Sequence, residues 1–120
     1  MTDVLEAARE RGVRTILSFH DFRGTPSVKR LNELTRQADS LAPDLFKVAV
    51  RTDRQAQLDR LLEFFEGHRS AKVVAMGIGK LGRKSRLEVA RRGCRLNYAH
   101  LGAPAAEGQL SIAELRRALC

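Results

Sequence analysis

Three short apolar runs, RTILSF (14–19), LFKVAV (45–50) and KVVAMG (72–77), are each followed by a stretch patterned for a helix, and this alternation constrains the fold more than any other feature. After the first run, Val28, Leu31, Leu34, Ala38 and Leu41 recur at three- and four-residue spacing, which gives one buried helical stripe. Thr25-Pro26 supplies an N-cap and a proline at the first helical position, and Pro43 closes the segment. After the second, Asp53 is placed to cap a helix with Leu58, Leu61, Leu62 and Phe65 on one face, ended by Gly67. Residues 84–92 form the next helix, stopped at Gly93, and 95–99 (RLNYA) reads as a fourth strand. A helix over 2–11 precedes these units, and Ser111 with Glu114 makes a capping box for a last one, SIAELRRAL. Strands near 14–19, 45–50, 72–77 and 95–99, apolar enough for burial on both faces, predict an α/β fold with a parallel sheet in a single domain spanning 1–120. The alternation alone fits an open sheet and a barrel segment equally well.

Composition narrows the function classes. With 43% apolar and 30% charged residues, the 120-residue chain is expected to be globular rather than disordered. No apolar run approaches the roughly 20 residues that span a bilayer, and the first residues lack a signal peptide's apolar core. A cytoplasmic protein without a membrane partner is the expectation. Cys94 and Cys120 have no spacing that suits a metal site, so two free thiols and no metal are expected. The net charge of +8 invites a nucleic-acid reading. Its cations are dispersed, however, aromatics are 5%, and nothing resembles a base-stacking motif, so a basic surface that steers an anionic metabolite is favoured. Neither a dinucleotide fingerprint nor a P-loop is present.

Lys47 is the anomaly, a charge within an apolar strand. Strand alternation sets Leu45, Lys47 and Ala49 on one face, opposite Phe46, Val48 and Val50. A lysine there either snorkels to solvent from an edge strand, the commoner case, or is desolvated, and a desolvated amine is more readily the neutral nucleophile that attacks carbonyls. His20 follows the first strand on the face of Ile16 and Ser18, where βα loops carry functional groups. Structural histidines are commoner at such places, although imidazole is an able acid-base group near neutrality.

The words around these two residues resemble one family. SFHDFRGTPS (18–27) is similar to the histidine motif of type I 3-dehydroquinate dehydratases, and LFKVAV to the family's lysine strand at the matching distance. GKLGRKSR (79–86) resembles its glycine-rich turn ending in Ser-Arg, and GQLS (108–111) its closing loop. The resemblance runs from residue 13 onward. It implies a four-unit β/α half-barrel, the second half of a TIM barrel, and a Schiff-base lyase of the shikimate pathway and aromatic amino acid biosynthesis. In this family the lysine forms an imine with the C3 ketone of 3-dehydroquinate, and the histidine removes a C2 proton and helps expel the C1 hydroxyl as water. Carried over, Lys47 and His20 are catalytic, Arg86 binds the anionic substrate, Gln109 closes over it, and no cofactor is needed beyond the imine on Lys47. Met76 and Tyr98 fall near the pocket, where core packing is the more frequent role.

The resemblance also implies departures. The family's lid serine falls at Ala105 and its lid proline at Glu107, and the acidic residue that orients the histidine belongs to the other half of the barrel. Four parallel strands do not close a barrel, so a homodimer is expected to complete it. The alternative is a half-barrel with impaired catalysis that serves as a binding or interaction module.

Overall fold

The computed structural model describes residues 2–69 and 72–119. Helix α1 (Thr2–Glu10) precedes three β/α units: β1 (Ile16–Asp21) and α2 (Val28–Asp39), β2 (Leu45–Arg51) and α3 (Gln55–Glu66), β3 (Val73–Ile78) and α4 (Gly82–Arg91). Helix α5 (Ile112–Leu119) is the last element among the described residues. The strands are parallel in the order β1-β2-β3, as an α/β chain with helical crossovers requires.

The sheet has two unlike faces. Phe46, Val48, Val50, Val73 and Ala75 lie beneath the helices with Leu31 of α2, Leu61, Phe64 and Phe65 of α3 and Val89 of α4, all buried in one cluster. A fully buried phenylalanine or leucine contributes about 1.5–3 kcal/mol, so this layer fixes the sheet. On the other face, register aligns Ser18 with Lys47 and Val74, and His20 with Ala49 and Met76. Only part of that face is covered: Ala49, Met76 and Ile78 pack with Ala106 of the loop before α5, while Ile16, Ser18 and His20 are exposed.

Several boundaries differ from the sequence expectation. The first strand runs two residues later than 14–19, which places His20 inside β1 rather than after it. Ser27, not Thr25, caps α2 by accepting from the Arg30 amide at 3.1 Å. Thr25 instead donates to the Arg51 carbonyl at 2.8 Å, a long-range tie that no local pattern reveals. The Asp53 carboxylate accepts from the Lys80 amide, and Gln57 takes over at the start of α3 by accepting from the Asp53 and Arg54 amides at 2.9 and 3.0 Å. The Ser111–Glu114 capping box forms as expected, with both reciprocal bonds at 3.1 Å.

The fourth strand is a correction. Among the described residues the sheet has three strands, and 95–99 joins no ladder. Asn97 turns its side-chain amide back onto the Cys94 carbonyl at 3.0 Å, a local bond that competes with strand pairing. Leu96 still packs against the main core, so the segment follows the expected path beside β3 without its hydrogen bonds. The next residue, His100, makes one isolated parallel bridge to Ser111.

Candidate active site

The C-terminal ends of the strands and the loop before α5 enclose a cleft of about 230 Å³. His20, Lys47, Arg86 and Gln109, the four residues singled out from sequence, all line it, together with Met76 and Tyr98. They come from β1, β2, α4 and the pre-α5 loop, so tertiary structure alone brings them together.

Lys47 stands in the middle strand, half-buried, with Nζ 4.5 Å from the centroid of the Tyr98 ring. Tyr98 is therefore more than core filler, since its π face holds the ammonium in place. His20 sits one pleat further along on the neighbouring strand, beside Ala49 in register. Its ring is exposed and leans on Phe22, with centroids 5.7 Å apart. No carboxylate hydrogen-bonds the His20 ring among the described residues, and Asp21 turns away to accept from the Arg23 and Gly24 amides.

Arg86 is 7% exposed, and its Nε donates to the Gly77 carbonyl at 3.1 Å. Burial pushes its guanidinium pKa down from the ordinary value. No carboxylate pairs with it among the described residues, so a terminal fork remains for a bound anion, the geometry in which arginine is best. Its neighbour Ser85 is fully buried, accepting from the Gly77 amide at 2.8 Å and donating to the Gly82 carbonyl at 2.7 Å. Both polar groups of Gly77 are thus used to seat the Ser-Arg pair.

Gln109 belongs to a loop folded on itself. Its Oε1 accepts from the Ala105 amide at 2.7 Å, its own backbone amide donates to the Ala106 carbonyl at 3.1 Å, and the residue lines the cleft. Gly108 has φ +95°, and a Cβ there would come within 2.8 Å of the Gly82 Cα. Only glycine lets this loop press so closely on the start of α4.

Sequence reasoning missed Arg51 at the rim, and read Asp53 only as a helix cap and Glu107 only as a departure in the lid. Arg51 lies on the Lys47 face by strand period, which was the available signal, and it reaches Asp53 at 3.5 Å and Glu107 at 4.0 Å. The Lys80 amide, with help from Arg51, holds the Asp53 carboxyl below its usual range.

A family model described as Type I 3-dehydroquinase matches residues 1–120. The chain belongs to the type I 3-dehydroquinase family. It is 38% identical over 117 residues to the 3-dehydroquinate dehydratase of Thermococcus gammatolerans, covering 98% of this chain and 54% of that protein. The crystal structure of the Geobacillus kaustophilus 3-dehydroquinate dehydratase superposes with a TM-score of 0.90 at 30% identity, covering 98% of this chain and 47% of that one. The Clostridium difficile type I enzyme, solved with covalently modified comenic acid, gives a TM-score of 0.86 at 28% identity, covering 98% and 48%. The chain spans about half the length of the 3-dehydroquinases it matches, as a half-barrel does.

Proposed function

We propose that this chain carries the imine-forming half of a 3-dehydroquinate dehydratase site. The observation that carries the reading is the convergence of Lys47, His20, Arg86 and Gln109 on one cleft. The Clostridium difficile relative, which holds a covalently modified ligand, supports a covalent route.

In this mechanism Arg86 takes the substrate carboxylate, and the Lys47 amine adds to the C3 ketone. Loss of water gives an iminium, which draws electrons from the adjacent C2–H bond. His20 takes the C2 proton, the resulting enamine expels the C1 hydroxyl, and the proton held by His20 leaves with it as water. Hydrolysis of the conjugated iminium releases 3-dehydroshikimate and restores Lys47. The imine is the electron sink, so the chemistry calls for no metal or organic cofactor. General acid-base help of this kind contributes about 10²–10⁴ in rate. The reaction would serve the shikimate pathway in the cytoplasm, and no helix among the described residues is long and apolar enough to cross a membrane.

A second copy of the chain is the partner proposed for the open face. Ile16 is 46% exposed there, and β1 is an edge of the three-stranded sheet. A second reading, an anion-binding half-barrel without turnover, is favoured by the exposure of His20. A dehydration assay separates the two by following the absorbance of the conjugated product. Turnover that disappears in Lys47→Ala and in His20→Asn supports the enzyme, and its absence from the unaltered chain in every assembly state refutes it.

A further inference from the structure

Arg51 ends β2 on the face that also carries Lys47 and Ala49, paired in register with Ile78. Its side chain reaches three separate segments of the rim. Nε donates to the Phe22 carbonyl at 2.6 Å, gripping the segment that follows His20. Nη1 lies 3.5 Å from both Asp53 carboxylate oxygens, and Asp53 in turn accepts from the Lys80 amide at 2.9 Å. The same Nη1 is 4.0 Å from the Glu107 carboxylate, whose backbone carbonyl accepts from the Gly79 amide at 3.0 Å. The grip on the first segment is reciprocal, because the buried Thr25 hydroxyl donates to the Arg51 carbonyl and Arg60 donates to the Thr25 carbonyl at 2.9 Å.

Gly79 confirms how tightly this corner is built. It has φ +101°, and a Cβ there would stand 2.2 Å from the Asp53 carboxylate and 2.9 Å from the Arg51 guanidinium. Arg51 thus joins the loop after His20, the loop after β2 and the loop that carries Gln109, and through Asp53 the turn before Arg86. His20, which has no carboxylate partner among the described residues, leans on Phe22, and Arg51 holds the carbonyl of that same residue.

We propose that Arg51 is a positioning residue that sets His20 and the Gln109 loop relative to Lys47. It acts through the Phe22 carbonyl on one side and Glu107 on the other, touches no reacting atom, and rests on the dehydratase reading of the cleft. A planar guanidinium makes both contacts at once, and a lysine ammonium, a single point of charge, does not.

The test uses the full chain and nuclear magnetic resonance. In the unaltered protein the Arg51 Nε–H signal is expected to exchange slowly with solvent, and exchange as fast as that of an exposed arginine overturns the proposal. In Arg51→Lys and Arg51→Met, the amides of 22–25 and 105–109 are expected to shift or broaden together while those of α2 and β3 hold their positions. Glu107→Gln, which leaves the Phe22 bond in place, is expected to disturb 105–109 alone. Unmoved 22–25 amides in Arg51→Met also overturn it.

With 3-dehydroquinate, Arg51→Lys is expected to keep the reducible adduct on Lys47 at its normal level while dehydration falls about 100-fold, the order of effect that misplacing a catalytic group produces. Adduct and dehydration falling in parallel would make Arg51 merely structural. If the unaltered chain forms no adduct, the dehydratase reading fails, and the exchange and amide results still decide whether Arg51 clasps the two loops.

Discussion

Replacing Gly77 by alanine tests whether the seat of Arg86 is built as described. An ideal Cβ at this position stands 2.2 Å from the Thr52 hydroxyl and 2.3 Å from the Ser85 hydroxyl, far inside any contact real Cβ atoms make. Neither neighbour can swing into solvent, since both residues are fully buried. Overpacking of this kind costs about 1–3 kcal/mol. If Ser85 moves aside, the buried Gly77 amide loses its acceptor, which adds about 1–3 kcal/mol. The sum, about 2–6 kcal/mol, is a large share of the roughly 5–15 kcal/mol by which a typical domain is stable. Equilibrium unfolding in urea measures it as a fall in midpoint at unchanged slope. Gly102→Ala is the control, because nothing lies within 4 Å of a Cβ there. A change of less than about 0.5 kcal/mol in Gly77→Ala, the usual range for inert surface positions, would refute the packing argument and the seat that rests on it.

The remaining predictions concern charge and assembly. The Ser111 amide, followed by Arg83, lowers the Glu114 carboxyl from 4.5 to about 2. A depressed carboxylate stabilises the fold above its unfolded pKa, so this contribution is present above 4.5 and is lost as pH falls from there towards 2. Thermal midpoints measured across that window should drop with acid, and Glu114→Gln should flatten the drop. An unaltered slope contradicts the capping assignment. Arg86→Lys should raise KM about tenfold, or about 1.4 kcal/mol, with a smaller change in kcat, because a fork to the substrate carboxylate is lost from the ground state and transition state alike. A kcat that falls while KM stays put would move Arg86 into the chemical step. Light scattering at micromolar concentration should give a two-chain mass, and a strict monomer counts against the second copy as partner.

The sequence was most legible where local rules and burial agree. The LFKVAV strand is correct to within its last residue, since Phe46, Val48 and Val50 do face the helices and Lys47 does face the cleft. The capping box at Ser111 and Glu114 is equally local, and it formed as read. Where long-range partners decide, local signals misled. Thr25 looked like a cap but serves Arg51, and Asp53 looked like a cap but serves Lys80, leaving Ser27 and Gln57 to finish the helices. RLNYA alternates like a strand, yet Asn97 finds its hydrogen bond three residues back and the ladder is not extended. Lys47 and His20 stood out by strand position, but Arg86, Gln109 and the joining of all four in one cleft were legible only through resemblance to the family, because their convergence depends on register and loop placement that no spacing encodes. Arg51 escaped because two of its three rim contacts, Phe22 and Glu107, lie far away in sequence and only Asp53 is a near neighbour.

The central claim is that Lys47 is the residue that bonds covalently to substrate. Incubation with 3-dehydroquinate, reduction by borohydride and peptide mass spectrometry test it directly. A single reduced adduct on the peptide that contains Lys47, absent in Lys47→Ala and absent without reductant, is the predicted result. An unmodified Lys47 under conditions that give turnover, or an adduct on another lysine such as Lys72 or Lys80, would contradict it.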